Sequence, residues 1–170
     1  MIFNYCPSCG QKDTVKKLDD TNYECTNCQW HFWNNAKACA QLVLVKDGKE
    51  ALFVIRGREP SKGAYDIPGG FVDYGETPEE AIVREAKEEL GIIIRAENLT
   101  LVTTFGNKYL YKDTQAYCTD IVYAATKWEG DFTPMDDVAD CMWRPFSQFD
   151  DDFVEDYSGL SQLLSEKYNR

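Results

Sequence analysis

The rhythm of hydrophobic positions along the chain changes near residue 36. The first 33 residues are polar and cysteine-rich, with no apolar periodicity long enough to build a core, so this segment needs a staple. Beyond it, residues 38–45 and 51–55 are apolar runs flanking Asp47-Gly48, which predicts two strands joined by a turn. A loop over 57–70 follows, holding Pro60, Gly63, Pro68, Gly69 and Gly70. Thr77-Pro78-Glu79-Glu80 is a helix start, with Thr77 as N-cap, Pro78 at the first helical position and Glu80 closing a capping box. Gly91 ends that helix, because glycine tolerates the left-handed conformation of a C-terminal cap. Residues 92–105 and 114–126 are rich in β-branched and aromatic side chains and predict strands. Residues 157–168 predict a closing helix with Leu160, Leu163 and Leu164 on one side. The expected class is α+β: a mixed sheet with a central and a C-terminal helix over residues 36–170, preceded by a small cysteine module over 1–33.

Composition narrows this picture. At 170 residues, 44% hydrophobic and 28% charged, the chain fits a soluble globular protein of one domain, or of one domain with a small appendage. Its longest apolar runs fall far short of the roughly 20 residues that span a bilayer, so no membrane association is expected. The start, Met1-Ile2-Phe3-Asn4-Tyr5-Cys6, lacks the basic and apolar regions of a secretory signal, which suggests a cytoplasmic protein. The net charge of −11 would repel a phosphate backbone, so a nucleic-acid partner is not expected.

Chemistry concentrates on the central helix. At about 100° per residue, Ile82, Val83, Ala86 and Leu90 share a core-facing side, while Glu85, Glu88 and Glu89 cluster opposite them. Three carboxylates at i, i+3 and i+4 repel one another and sit toward the helix end where the macrodipole disfavours anions. A hard divalent cation converts that repulsion into coordination by oxygen. Gly69 and Gly70, ahead of the helix, would let backbone approach a metal or a phosphate closely.

Gly70, five residues, Glu76, seven residues, then Arg84-Glu85-Ala86-Lys87-Glu88-Glu89-Leu90-Gly91-Ile92 resembles the Nudix box, G-x5-E-x7-R-E-U-x-E-E-x-G-U with U apolar, at every defined position. The flanking Ala64-Tyr65-Asp66-Ile67-Pro68-Gly69 and Trp143-Arg144-Pro145-Phe146 are similar to the family's own segments, extending the resemblance over about residues 36–155. The resemblance implies an α/β/α sandwich that uses Mg²⁺ or Mn²⁺ to hydrolyse a nucleoside diphosphate linked to another moiety. By position, the Gly69 carbonyl, Glu85, Glu88 and Glu89 would hold the metal, and Glu85 would activate water. Arg84 would orient the carboxylates and pair with Glu76, and Asp137 matches the further acid that often completes such sites. The other class this fold implies is a non-catalytic nucleotide sensor whose N-terminal module binds a partner. Such modules usually lose a box carboxylate, and all are present here.

In the first segment Cys6-Pro7-Ser8-Cys9 and Cys25-Thr26-Asn27-Cys28 form two C-x2-C knuckles, a pattern for four-thiolate structural zinc in a zinc ribbon. A closed four-cysteine site offers nothing to a substrate, so a scaffold or homodimer contact is the role expected of it. Cys39, Cys118 and Cys141 read as buried small hydrophobes, and His31, between Trp30 and Phe32, as a packing residue. A ribbon ahead of a Nudix domain is the arrangement of the NAD(H) pyrophosphatases. Their Ser-Gln-Pro-Trp-Pro-Phe-Pro motif is absent, however, Arg95-Ala96-Glu97-Asn98-Leu99-Thr100 standing after the box. The proline that marks many ADP-ribose hydrolases is also absent, with Asn107 and Lys108 in its place, while Tyr109 matches a tyrosine common in dinucleoside polyphosphate hydrolases. NAD(H), ADP-ribose, FAD and dinucleoside polyphosphates therefore all stay open as substrates. Phe105, Tyr109, Tyr111 and Tyr117 are candidates to stack a base, and Arg56, Arg58 and Lys62 to meet phosphates.

Overall fold

The structure, a computed structural model, describes residues 3–111, 114–150, 153 and 156–169. It divides into two compact units, Met1–Ala36 and Lys37–Arg170. Among the described residues no helix is long and apolar enough to cross a membrane.

The first unit is a three-stranded antiparallel sheet of β1 (Val15–Lys17), β2 (Asn22–Cys25) and β3 (His31–Trp33). These strands are too short to show as a periodic pattern, which is why the sequence suggests none. Alternation places Val15, Tyr23, Cys25 and Phe32 on one side, where Phe3 and Trp30 join them in a small aromatic core. His31 is a packing residue, its ring centroid 4.2 Å from that of Trp33 and its Nε2 3.4 Å from Asn22 Oδ1.

The second unit is built on β4 (Lys37–Lys46), β5 (Glu50–Arg56), β6 (Tyr65–Asp66), β7 (Gly69–Phe71), α1 (Pro78–Leu90), β8 (Thr100–Tyr111), β9 (Thr114–Ala125), β10 (Val138–Pro145) and α2 (Leu160–Tyr168). The main path of the sheet runs β10-β5-β4-β9-β8; β4 and β9 are parallel and the other neighbours antiparallel. β4 and β5 pair only at the turn, through Val45–Ala51 and Lys46–Glu50. Where they diverge, the segment 65–71 fills the gap, β6 on β5 and β7 on β4, with the Leu42 N–H donating to Pro68 O at 2.8 Å. That insertion carries Gly69 and Gly70 onto the sheet.

Side chains of alternate β4 positions feed two cores. Ala40, Leu42 and Leu44 pack with Ala81, Ile82, Ala86 and Leu90 of α1, and Val43 and Val45 pack with Leu160 and Leu164 of α2. One helix layer thus covers each face, the α+β sandwich expected from the sequence. Both predicted ends of α1 are present: Thr77 and Glu80 form the reciprocal capping box, and Gly91 caps the C-terminus at φ 70°. The Asp47-Gly48 turn requires positive φ at both residues, 51° and 66°.

Two expectations are corrected, and one strand goes unpredicted. Residues 92–105 are not one strand: a single bridge joins Ile93 to Glu129, a 3₁₀ turn covers Ala96–Asn98, and β8 begins at Thr100. Ile92 and Ile94 are buried around exposed Ile93, an alternation that a chain crossing the core edge shares with a strand. α2 starts at Leu160, and Leu163 is 39% exposed while Leu160 and Leu164 are buried, so the buried stripe is i, i+4. β10, which pairs along β5, has no counterpart among the predicted elements, since exposed Asp140 and the Trp143-Arg144-Pro145 run hide its alternation.

Candidate active site

α1 presents its carboxylates to the insertion between β4 and β5. Gly70 sits so close to α1 that a Cβ there would lie 2.8 Å from Glu85 Cδ. Gly69 is similarly pressed against β4, at φ 151°, where a Cβ would lie 2.5 Å from Gln41 Oε1. Its N–H donates to Glu89 Oε2 at 2.9 Å. Glu89 is only 7% exposed, although it lies opposite the core-facing side of α1. Burial pushes its carboxyl up to about 9, and the neighbouring Glu85, Asp137 and Asp66 charges push the same way. Burial raises Glu85 too, against the lowering effect of Arg84.

Arg84 ties this group together. Its Nε and Nη2 donate to Glu76 Oε1 and Oε2 at 2.8 and 3.0 Å, its Nη1 to Glu85 Oε1 at 2.6 Å and Glu88 Oε2 at 3.3 Å, and Nη2 also to Phe71 O at 3.1 Å. Glu76 in turn accepts from the Asp73 N–H at 3.0 Å, and these hydrogen bonds, Arg84 first, hold its carboxyl down to about 2. The paired fork fixes the loop ahead of α1 to the helix face that carries Glu85.

The loop before β10 arrives by capping the helix. The Thr133 and Met135 N–H groups donate to Leu90 O and Glu89 O at 2.9 and 2.8 Å, satisfying carbonyls that a helix end leaves free. This places Asp137 on a cavity of about 360 Å³ whose lining also includes Gly69, Gly70, Arg84, Glu85 and Glu89. Glu88, although bonded to Arg84, does not line this cavity; its side chain is 53% exposed beside a broader groove lined by Val83, Lys87 and Ile94. The broader groove is the more open of the two, but the titratable cluster belongs to the smaller cavity.

The other candidates divide. Arg56 lines the cavity, held by Asp66 Oδ2 at 2.9 Å and Pro60 O at 3.0 Å; burial still pushes the Asp66 carboxyl up to about 6. Arg58 pairs with Asp136 Oδ1 at 2.8 Å at the rim, with its side chain 64% exposed. Phe105 is corrected: it packs against Tyr157, 5.6 Å between ring centroids, in the core under α2 rather than on the cavity. Tyr117 is 59% exposed, and the side chains of Tyr109 and Tyr111 lie outside the described residues. Sequence reading missed Cys39, Gln41, Asp66, Phe71 and Cys118 as cavity residues. The period-2 placement of Cys39 and Gln41 ahead of Val43 and Val45 is the signal that marks them, since the α2 layer covers only the latter pair.

In the first unit all four knuckle sulfurs lie within 4.8 Å of one another, with Cys6–Cys28 at 3.7 Å and Cys9–Cys25 at 3.8 Å. Four ligands at a zinc–sulfur distance of 2.3 Å set tetrahedron edges of about 3.8 Å, so the cluster fits that ion. The knuckles are alike in backbone: the N–H of Gly10 donates to Cys6 O and that of Gln29 to Cys25 O, both residues at positive φ.

The model of the NUDIX domain matches residues 37–164. The chain belongs to the Nudix family. It is 36% identical over 126 residues, 74% of this chain and 68% of the relative, to an ADP-ribose pyrophosphatase of Methanocaldococcus jannaschii. It is 35% identical over 94 residues to the NAD-capped RNA hydrolase NudC of Haemophilus influenzae, covering 54% of this chain but only 34% of that one. Among solved structures, a NUDIX hydrolase from Nitrosomonas europaea shares the fold at TM-score 0.65 and 18% identity, over 98% of this chain and 91% of that one. The Nudix domain of Shewanella oneidensis NrtR, complexed with ADP ribose, aligns at TM-score 0.62 and 20% identity over 79% of this chain and 90% of that one. As a Nudix hydrolase, the chain falls in the class of nucleotide pyrophosphatases.

Proposed function

We propose that the Nudix domain cleaves the pyrophosphate bond of a nucleoside diphosphate linked to another moiety, of the ADP-ribose or dinucleotide type, with Mg²⁺ or Mn²⁺. The observation that carries this reading is the gathering of carboxyl groups on one cavity: Glu89 is buried with half-buried Glu85 and Asp137 beside it, and burial together with the charges of Glu85, Asp137 and Asp66 drives Glu89 up to about 9. Carboxyl groups gathered this closely ionise together when they hold a cation. Glu85 and Glu89, with the Gly69 carbonyl and Asp137 beside them, are the groups to hold it, and Glu88 would reach it only from the rim. When bound there, a divalent cation would supply the positive charge that offsets the substrate phosphates.

The chain's own groups perform the rest. Arg84, fixed by the Glu76 fork, holds Glu85 in one orientation. Glu85 takes a proton from water as the water oxygen bonds to phosphorus. The bond from that phosphorus to the bridging oxygen breaks, and the bridging oxygen leaves as a phosphate, giving a nucleoside monophosphate and a second phosphorylated fragment. Arg56, which lines the same cavity, would meet the phosphates with its guanidinium. The intact carboxylate set favours this reading over a nucleotide sensor.

Residues 1–33 act as a separate zinc ribbon in this reading, held by Cys6, Cys9, Cys25 and Cys28, and residues 36–170 as the catalytic domain. Their cellular setting is read as cytoplasmic. The test is a screen of ADP-ribose, NADH, FAD and dinucleoside polyphosphates with Mg²⁺, with products separated by chromatography. Full turnover in excess chelator, or cleavage of phosphate monoesters alone, overturns it.

A further inference from the structure

Arg56 and Asp66 reach the cavity from one face of the β5–β6 pair. Asp66 stands opposite Val54, and Arg56 follows Val54 by two residues, so the two side chains leave the same side as diagonal neighbours. The backbone of Arg56 is fixed: its N–H donates to Ala64 O at 3.1 Å and its carbonyl accepts from the Gly63 N–H at 2.8 Å, which closes the loop between the strands. The guanidinium is then aimed by what it bonds to. Its Nη1 donates to Asp66 Oδ2 at 2.9 Å and its Nε to Pro60 O at 3.0 Å. Asp66 is itself held, being buried with its Oδ1 accepting from the Ile67 N–H at 2.9 Å.

This pair stands beside carboxyls that would hold the cation. Arg56, Asp66, Glu89 and Asp137 together line a chamber of about 30 Å³, the room of one water. Arg56 nevertheless makes its ion pair with Asp66 and, among the described residues, none with Glu89 or Asp137. A guanidinium released in this chamber would fall onto those two carboxyls, because it offers them positive charge and a fork of N–H donors. It would then occupy the cation's ligands and be lost to the substrate. Arg84 cannot stand in for it, being bonded to Glu76, Glu85, Glu88 and Phe71 O. We propose that Asp66 is a positioning residue: it holds the Arg56 guanidinium off Glu89 and Asp137, which leaves those carboxyls to the cation and the arginine to the substrate phosphates. This inference rests on the pyrophosphatase reading, which assigns both the cation and the phosphates. Loss of the Asp66 charge then acts on the cation only through Arg56, and removing the arginine as well undoes it. A carboxylate that merely propped the fold, or one that bound the cation itself, would show no such rescue.

The test titrates Mn²⁺ into the full chain without substrate, counting free ion by electron paramagnetic resonance, with a thermal melt beside each titration. Asp66→Asn keeps the size of the side chain and should weaken Mn²⁺ binding about tenfold, the scale on which losing a group that supports metal ligands is felt. Asp66→Asn combined with Arg56→Gln should recover to within about threefold of wild type. Unchanged Mn²⁺ affinity in folded Asp66→Asn overturns the proposal. So does a loss that the second substitution leaves as it is, since that makes Asp66 a ligand of the ion or a prop of the fold. If Asp66→Asn alone does not fold, the double variant decides, because it carries no unpaired buried charge: Mn²⁺ binding about tenfold weaker than wild type overturns the proposal, and near-wild-type binding supports it. The phosphate side is read with inorganic pyrophosphate added to the Mn²⁺-loaded chain. Arg56→Gln and Asp66→Asn should each bind it about tenfold more weakly than wild type, and equal binding in Arg56→Gln overturns the part given to the arginine. Hydrolysis of ADP-ribose and NADH by the wild type separates the two readings. Rescue at the cation without any turnover refutes the pyrophosphatase reading alone, and turnover without rescue refutes the positioning role alone.

Discussion

Gly70→Ala is the substitution whose outcome the geometry fixes most closely. Gly70 does not adopt a positive φ, so alanine is compatible with its backbone. The new methyl would nevertheless lie 2.8 Å from Glu85 Cδ and closer still to Oε1. Carbon atoms pack at about 3.5 to 4.0 Å, so the carboxylate must retreat by roughly 1 Å. The retreat is available, because the obstructed atoms are the end of a flexible side chain, and the fold should lose little stability. Catalysis should lose much more. A group displaced by about 1 Å from its working position costs on the order of 10²-fold in rate. Glu85 would also leave its 2.6 Å contact with Arg84 Nη1, which fixes its direction. Steady-state kinetics on the best substrate from the screen, beside a thermal melt, should show kcat down about 10²-fold with the melting temperature within a few degrees. A variant with wild-type kcat and an intact fold would show that the carboxylate of Glu85 has no position-dependent role. A collapsed melt would show that the Gly70–Glu85 contact is part of the fold's stability instead.

Glu85→Gln should lower kcat by about 10² to 10⁴ while circular dichroism stays unchanged, and turnover near wild type would remove Glu85 as the base. Glu89 makes stability depend on pH in magnesium-free buffer. Its folded-state carboxyl is pushed up to about 9 from an ordinary 4.5, so between these values the folded chain keeps a proton that the unfolded chain has released. Stability is therefore full below about pH 4.5 and falls as pH rises toward 9, by at most about 1.4 kcal/mol per unit. Melts should show that slope, and Mg²⁺ or Glu89→Gln should flatten it; a slope untouched by either would place its origin elsewhere. Elemental analysis should find one zinc ion per chain in the wild type; replacing Cys6 and Cys9 by serine should abolish it and unfold residues 1–33, since metal binding and folding share one free energy in so small a module. Metal-dependent hydrolysis should persist in that variant, and its loss with residues 37–164 still folded would give the ribbon a direct part in the site.

Local chemistry was legible in the sequence because it depends on neighbours within a few residues. The capping box at Thr77–Glu80, the left-handed Gly91, the Asp47-Gly48 turn and the two cysteine knuckles are each set by short-range backbone or ligand geometry. The spacing from Gly70 to Ile92 likewise determined which carboxylates share a helix side, since 3.6 residues per turn fixes that before any packing occurs. It could not determine their burial. Glu88 and Glu89 are adjacent and chemically identical, yet one is exposed at the rim and the other enclosed, because segment 65–71 inserts between β4 and β5 and packs against Glu85 and Glu89 but not Glu88. The same distance from sequence explains Phe105, which turns into the core because α2 folds back over its face, and the bridge at Ile93, whose alternation imitates a strand. Cys39, Gln41 and Cys118 came to line one cavity only when β4 met β9 in parallel, a pairing between segments some 80 residues apart that no local pattern encodes.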